Sequence, residues 1–275
     1  MSFITHLSSS WQSSMLCVGL DPDVTRYPLP LRNEPDKVFL FCREIVDACA
    51  PFCAAFKPQF AYFAAQRAES ALERICHYIR KHYPQHTLVL DAKRGDIGAT
   101  ASQYAVEAFE RYAAHALTVN PYMGIDSILP YLQNIEHGVF LLCRTSNPGG
   151  ADLQNLRLSS DQAESSFLFE HVARLAQGPC NRDDQLGLVV GATYPEELKR
   201  VRQLAPKLPF LVPGVGTQGG DITETVQAGR DANDRGMLIS VSRAILYASF
   251  ENDFAIAAAN FAQQAHLSIL EALKN

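Results

Sequence analysis

The sequence lacks the features that mark nucleic-acid-binding and membrane-spanning proteins. Its 24 lysines and arginines are outnumbered by 29 acidic residues, and the net charge of −5 is spread without a basic stripe, which argues against a nucleic-acid surface. No run approaches the ~20 apolar residues needed to span a bilayer. The amino terminus has neither a basic flank nor an apolar signal region. We therefore expect a soluble, cytoplasmic protein that binds neither nucleic acid nor membrane.

The cysteines also lack the spacing of a disulfide framework or a zinc site. There are seven of them, an odd number, with no Cys-x-x-Cys pair and no companion histidines at metal-binding spacing. We expect buried thiols in a reducing compartment and no bound metal.

What the sequence does contain is enough apolar residues, 47% of 275, to bury a large core. Eight short apolar runs read as strands buried on both faces. They cover residues 15–20, 52–56, 88–90, 117–120, 139–143, 186–190, 210–212 and 237–241.

Helical patterns with a 3.6-residue period alternate with these strands. The helices are expected at residues 36–49, with Asp36 as the N-cap, and at 68–79, 97–115, 125–132, 167–175, 196–204 and 254–272, with one more beginning near Asp221. This alternation predicts an α/β fold, a (β/α)₈ TIM barrel forming a single domain over residues 1–275. A doubly wound open sheet is the weaker interpretation, because no Gly-x-Gly-x-x-Gly follows the first strand.

Charged residues stand at the carboxyl ends of three predicted strands. The third strand leads into DAKRGDIGAT, residues 91–100, which carries Asp91, Lys93 and Asp96; Asp21 and Lys57 end the first two strands. In a barrel these ends share one face, so the side chains would meet at a common mouth. Two plainer interpretations remain open: a polar loop in which Asp96 caps the next helix, and a salt-bridged rim with no catalytic purpose.

Two loops have the composition of binding segments. The turn after the seventh strand contains Gly214 and Gly216 and leads into a helix, so its backbone N–H groups and the helix dipole suit an anion. Arg243, just past the eighth strand, adds donors suited to phosphate, unless it pairs with an acid of the last helix. Residues 145–160, the longest irregular segment, form the second candidate loop.

The pattern Asp-x-Lys-x-x-Asp-Ile with a threonine three residues later, from Asp91 to Thr100, resembles the catalytic stretch of the orotidine 5'-phosphate decarboxylase family, in its longer bacterial branch. Further segments resemble the family in the same order: Gly-Leu-Asp ending at Asp21, Lys57, Thr145 to Pro148, Pro213 to Gly220, and Ser242-Arg243. The resemblance implies cofactor-free decarboxylation of orotidine 5'-phosphate (OMP) to UMP, the last step of de novo pyrimidine nucleotide synthesis.

The resemblance also implies roles for individual residues. Lys93 would protonate C6 of the pyrimidine, with Asp91 beside the departing carboxylate, while Lys57 and Asp21 would hold the ribose hydroxyls and the charge network. Asp96 and Thr100 would reach across the interface of a homodimer into the partner's site. The remaining substrate-binding residues implied are Ser146 and Pro148 for the base, and Gly214, Gly216, Gln218, Ser242 and Arg243 for the phosphate.

Other functions stay open at this point. 3-Keto-L-gulonate 6-phosphate decarboxylase and hexulose-phosphate synthase use a similar Asp-x-Lys-x-x-Asp stretch on sugar phosphates with a divalent metal, so a chelator would separate them from OMP decarboxylation. A Schiff-base aldolase would need a desolvated lysine and would be trapped by borohydride. A catalytically silent protein that binds a phosphorylated metabolite is the alternative from another class.

Overall fold

The strands of the protein follow the predicted apolar runs. The computed structural model describes residues 1–160, 163–216 and 219–274. In chain order its strands are β1 (Leu16–Leu20), β2 (Ala55–Pro58), β3 (Thr87–Arg94), β4 (Ala116–Val119), β5 (Gly138–Arg144), β6 (Arg157–Ser160), β7 (Ala163–Phe167), β8 (Leu186–Val190), β9 (Phe210–Pro213) and β10 (Met237–Val241).

Helices connect these strands and form the outer layer. They are α1 (Phe3–Ser10), α2 (Lys37–Cys49), α3 (Phe60–Ala64), α4 (Glu69–His82), α5 (Gly98–Val106), α6 (Ala151–Gln154), α7 (Leu168–Ala176), α8 (Pro195–Leu204), α9 (Ile222–Gly229), α10 (Arg243–Leu246) and α11 (Phe254–Ala272).

Eight of the strands pair in parallel and close into a barrel in the order β1-β10-β9-β8-β5-β4-β3-β2. Strands such as β1, β8 and β10 are buried along their whole length, because side chains on one face fill the barrel and those on the other pack under the helices. The predicted (β/α)₈ fold is confirmed. All eight carboxyl ends therefore open on one face of the barrel.

The segment after β5 differs from the prediction. Residues 145–160 were expected to be irregular, but they contain α6 and the first strand of an antiparallel hairpin, in which Leu158 pairs with Ser166 outside the barrel. The α1 helix, which the sequence pattern did not predict, packs at the amino-terminal end of the barrel, where the ring of Phe3 lies against Gly138 and Phe140.

Four smaller expectations also need correction. The helix expected over residues 125–132 forms instead as two 3₁₀ turns, Ile125–Ser127 and Leu129–Leu132. The helix expected over residues 97–115 ends at Val106 and continues as one π-helical turn, Glu107–Arg111. Asp36 stands at the N-cap of α2 but makes no capping hydrogen bond there, since its carboxylate binds Arg74 at 2.7 Å. Lys57 lies within β2, not after it. In the described part of the chain, no helix combines the length and apolarity of a membrane span.

Candidate active site

A cavity of about 570 Å³ opens at the carboxyl ends of the barrel strands. Eight of the residues proposed from the sequence line it: Asp21, Lys57, Asp91, Lys93, Ser146, Gly214, Ser242 and Arg243. They come from six different strand ends, which the barrel brings together. The predicted common mouth is therefore present.

Asp91 is the centre of the charged cluster. Its Oδ2 accepts a hydrogen bond from the Lys57 ammonium at 2.9 Å, and its Oδ1 accepts one from the Lys93 ammonium at 2.6 Å. The Lys57 and Asp91 side chains are only 6% and 9% exposed, whereas Lys93 is 47% exposed and extends into the open part of the cavity. One carboxylate thus bridges a buried cation and an accessible one.

The electrostatics of this bridge favour the charged forms of its buried members. Burial opposes ionisation of Asp91, but the two ammonium groups outweigh it and hold the pKa of the Asp91 carboxyl well below its ordinary value. Burial likewise opposes the charge on Lys57, and the carboxylates of Asp91 and Asp21 overcome it, so the pKa of Lys57 is raised.

Two polar residues that the sequence interpretation missed complete the shell of Asp91. The Gln59 amide donates to Asp91 Oδ2 at 3.2 Å, and the Thr118 hydroxyl donates to Oδ1 at 2.9 Å. Gln59 follows the tip of β2 and Thr118 lies in β4, so each lies beside the end of β3. The only sign of these two residues in the sequence is a single polar side chain within or just after an apolar run.

Lys93 has an unusual backbone conformation. Its φ is +48°, in the left-handed region that is rare for side chains other than glycine, and the pairing of β3 with β4 shifts register between Leu90 and Arg94. Such a conformation costs about 1–3 kcal/mol. This irregular pairing accompanies the placement of Lys93 at the cavity, where its ammonium meets Asp91 on the same strand.

Asp21 occupies the side of the cavity next to β10. Its Oδ1 is buried and has no hydrogen-bond partner among the described residues. Burial raises the pKa of Asp21, and the Lys57 ammonium offsets only part of that shift. Gly19, two residues earlier, packs so closely against Ser242 that a Cβ there would collide with the serine side chain. The residue also lines the cavity, where a carboxylate is suited to accept from a ligand hydroxyl.

The glycine-rich turn after β9 is closed by its own backbone hydrogen bonds, from the Gly216 N–H to the Gly220 carbonyl at 3.1 Å and from the Gly220 N–H to the Gly214 carbonyl at 3.0 Å, so anion binding there stays a prediction. Gly214 and Gly216 adopt φ values of 103° and 81°, which exclude most other residues, and the carboxylate of Asp221 caps α9 by accepting from the Glu224 N–H at 2.9 Å. Gly214 lines the cavity and Gly216 is exposed beside it. Gln218 lies outside the described residues.

Arg243 begins α10 at the rim of the same cavity. Within residues 1–160, 163–216 and 219–274 it forms no ion pair, so the alternative of a structural bridge to the last helix finds no support there. Its guanidinium group is available for an anionic ligand.

The segment after β5 forms the opposite wall. Ser146 lines the cavity, and its carbonyl accepts from the Thr193 hydroxyl at 3.0 Å. Pro148 is exposed and does not line the cavity. The Gln154 side chain ties the start of this wall to α6 by accepting from the Thr145 N–H and donating to the Thr145 hydroxyl, both at 2.9 Å.

Asp96 and Thr100 are separate from this cavity. Asp96 is half-buried and accepts from the Ile97 N–H at 2.8 Å, and Thr100 is exposed on the first turn of α5. Neither lines the cavity of its own chain.

The described residues contain no group of three or more His, Cys, Asp or Glu that could hold a metal ion. The seven cysteines are free thiols, and six of them, all except Cys180, are buried. The donors that line the cavity are instead ammonium, guanidinium, hydroxyl and amide groups, which suit an anionic organic ligand.

Comparison with known proteins gives consistent results. Residues 14–258 match the model of the family described as "Orotidine 5'-phosphate decarboxylase / HUMPS family". The chain is 56% identical over 260 residues to orotidine 5'-phosphate decarboxylase of Janthinobacterium sp. (strain Marseille), covering 94% of each. It is 54% identical over 276 residues to the protein of that name from Variovorax paradoxus (strain S110), covering 100% of each. The solved structure of Leishmania donovani OMP decarboxylase superposes with a TM-score of 0.83 at 38% identity, covering 98% of this chain and 99% of that one.

Proposed function

The chain belongs to the orotidine 5'-phosphate decarboxylase / HUMPS family, and we infer that it removes CO₂ from orotidine 5'-phosphate to give UMP, the last step of pyrimidine nucleotide synthesis. The observation that carries this inference is the Asp91 carboxylate held between Lys57 and Lys93 in a cavity that also contains Arg243. The proposal invokes no cofactor, since Lys93 can supply the proton. It assigns the reaction to the cytoplasm, where free thiols such as those of this chain stay reduced.

The substrate would lie across the barrel mouth. Arg243, Ser242 and the turn containing Gly214, Gly216 and Gln218 would bind the phosphate, because guanidinium and backbone N–H groups are its usual partners. The Asp21 carboxylate and the Lys57 ammonium, which both line the cavity, would bind the ribose hydroxyls. Ser146 and Pro148 would contact the pyrimidine from the wall after β5. This orientation leaves C6 of the pyrimidine nearest to Lys93.

Decarboxylation breaks the bond between C6 and the carboxylate and leaves both electrons on C6. That pair lies in the plane of the ring, where no π system accepts it, so a nearby cation must stabilise it. The Lys93 ammonium stands at this position and then donates its proton to C6 as CO₂ departs. Lys93 regains a proton from solvent, which reaches a side chain that is 47% exposed.

Repulsion between Asp91 and the substrate carboxylate contributes only a minor part of the catalysis. At ~4 Å and an effective dielectric constant near 20 it amounts to about 4 kcal/mol. Enzymes of the slowest reactions lower the barrier by more than ~20 kcal/mol. The greater part must come from the preorganised charge of Lys93 and from binding energy of the distant phosphate.

A homodimer with shared sites forms part of the proposal. Asp96 and Thr100 do not line the cavity of their own chain. Residues that act in a partner's site would be placed in this way. Large apolar side chains on the segments after β3 and β4 are also exposed: Ile97, Tyr122, Met123 and Leu129 are 52%, 78%, 46% and 47% exposed. An apolar patch of this kind is typical of a protein interface.

The proposed function is tested by the ultraviolet absorbance change when the purified protein is mixed with orotidine 5'-phosphate, with and without EDTA. We expect loss of the substrate absorbance at the same rate in both arms, with UMP as the product. An activity that EDTA abolishes would favour the metal-dependent sugar-phosphate reactions of the same family. No turnover of orotidine 5'-phosphate in either arm would contradict the proposal.

A further inference from the structure

The Thr118 hydroxyl makes three hydrogen bonds to one short stretch of β3. It accepts from the backbone N–H groups of Ala92 and Lys93 at 3.1 and 3.0 Å, and it donates to Asp91 Oδ1 at 2.9 Å. A hydroxyl has one donor and two acceptor positions, so all of them are used. The side chain is buried, with 1% of its surface exposed.

We propose that Thr118 is a positioning residue, whose hydroxyl fixes both the left-handed backbone of Lys93 and the carboxylate that orients the Lys93 ammonium. The proposal rests on the proposed function. Thr118 acts through its neighbours, because the groups it binds are Asp91 and the backbone of Lys93.

The irregular pairing of β3 with β4 explains why the hydroxyl is required. In a regular parallel ladder the N–H groups of successive residues point to alternate neighbours, and carbonyl groups accept them. The register shift between Leu90 and Arg94 interrupts this ladder, and among the described residues it is the Thr118 side chain that accepts from Ala92 and Lys93. Without that acceptor, two backbone donors at the barrel rim lose their partner and the conformation with φ of +48° loses its support.

The same hydroxyl couples the backbone to the charge. Asp91 Oδ1 receives the Thr118 hydroxyl and the Lys93 ammonium together. Rotation of the carboxylate would break both bonds, so Thr118 sets where the 2.6 Å contact of Lys93 can form. Lys93 is thus held both at its backbone and at its ammonium group. Proton transfer to a single carbon requires this fixed position.

Two variants, one that keeps the shape of the Thr118 side chain and one that keeps its hydroxyl, test this role. Thr118→Val replaces the hydroxyl by a methyl group of the same shape, and Thr118→Ser keeps the hydroxyl and removes the methyl group. For Thr118→Val we expect kcat to fall about 100-fold, since a displacement of ~1 Å at the reacting group has that effect, while UMP binds within about threefold of wild type. Thr118→Ser should retain kcat within about fivefold, since it keeps every hydrogen bond.

The split between kcat and UMP binding is a readout that a purely structural role would not give, because a loss of folded protein lowers both in proportion, and rescue of kcat by Thr118→Ser assigns the split to the hydroxyl. Should Thr118→Val not fold, Thr118→Ala takes its place in the comparison with Thr118→Ser.

Each outcome has one meaning. A wild-type protein that does not decarboxylate orotidine 5'-phosphate contradicts the proposed function itself. With an active wild type, a Thr118→Val kcat within twofold of it overturns the positioning role, as does an equal loss of kcat in the Ser and Val variants or a loss of UMP binding as large as the loss of kcat. Failure of both the Val and Ala variants to fold, with Ser intact, would assign the hydroxyl to folding alone and also overturn it.

Discussion

Asp91 shows how much of this site depends on one residue. It is the counter-ion of two lysines, one of them buried, and removing one partner of a buried charge pair leaves the other uncompensated. The charges are therefore mutually dependent, and none of the three can be replaced without changing the others. This dependence is why the cluster is held in position by neutral donors from Gln59 and Thr118.

Arg243 offers a prediction at the same scale. Arg243→Ala should lower kcat/KM by about 10²–10³-fold, because a charged hydrogen-bond partner of a phosphate is worth about 2–5 kcal/mol. The fold should survive, since the described residues give Arg243 no ion pair to lose. Steady-state kinetics with orotidine 5'-phosphate measure the effect.

The control for Arg243→Ala is Arg182→Ala, which removes an exposed arginine from the loop before β8. It should leave kcat/KM unchanged. Unaltered kinetics in Arg243→Ala would refute the phosphate assignment.

The sequence predicts the charged residues of the site better than the neutral ones. Asp21, Lys57 and Asp91 could be located because a charge at the end of an apolar strand is conspicuous. Thr118 could not, because a threonine in a strand is ordinary. The left-handed backbone of Lys93 could not be predicted either, since it depends on the register between β3 and β4 and on an acceptor that is 25 residues away.

Among the elements, two buried strands and the last helix, α11, have the bounds that the sequence predicts. β8 and β10 have the predicted bounds because each is a continuous apolar run buried on both faces. The hairpin of β6 and β7 was missed because its strands are rich in serine and show no apolar alternation. α1 was missed because eight residues are too few for a distinctive period.

A second prediction concerns the anchoring of the wall after β5 to α8. Arg144, 2% exposed, pairs with Glu197 at 2.5 Å and donates to the Thr145 carbonyl at 2.9 Å. Glu197→Gln should lower the free energy of unfolding by about 2 kcal/mol, the value of a hydrogen bond to a charged group. It should also raise KM about tenfold, which corresponds to 1.4 kcal/mol, because Ser146 lies on the wall that it anchors.

Urea denaturation and steady-state kinetics check this prediction. Glu196→Gln, an exposed neighbour on α8, is the matched control and should behave as wild type. If Glu197→Gln leaves both the unfolding free energy and KM unchanged, the wall does not depend on this ion pair.

At the scale of the whole molecule, we expect the buried His115 to make stability depend on pH in mild acid. His115 Nδ1 accepts from the Leu88 N–H at 2.9 Å, and burial lowers the pKa of His115 to about 2. Because the unfolded chain binds this proton near pH 6.5, stability from His115 is full above that pH and is lost as the pH falls. Between pH 7 and 5 the free energy of unfolding should fall by about 2 kcal/mol from this residue.

Urea denaturation at the two pH values measures the loss. His115→Asn, whose amide oxygen can still accept from Leu88, should show a smaller decrease than wild type. The same substitution at His77, exposed on α4, should preserve the wild-type decrease. Equal decreases in all three proteins would contradict the assignment.

The proposed homodimer makes a complementation prediction. Lys93→Ala and Asp96→Ala should each be nearly inactive alone. In a mixture that exchanges subunits, half of the dimers are mixed and one site of each mixed dimer has both wild-type residues, so about a quarter of wild-type activity should return. Kinetics after mixing measure this, and activity that stays at the level of the separate variants would place Asp96 outside its partner's site.

That residues 1–275 form one domain remains a prediction. The barrel explains how residues far apart in the sequence reach one cavity, but the chemistry depends on a single ammonium group. Because Lys93 is the proposed proton donor, while Arg243, Asp21 and Ser146 are proposed to bind substrate, its removal should separate catalysis from binding.

The most direct test is therefore the rate of CO₂ loss from orotidine 5'-phosphate by Lys93→Ala, measured beside UMP binding to the same protein. We predict turnover near the uncatalysed background while UMP still binds. Substantial residual turnover in this variant would contradict the account.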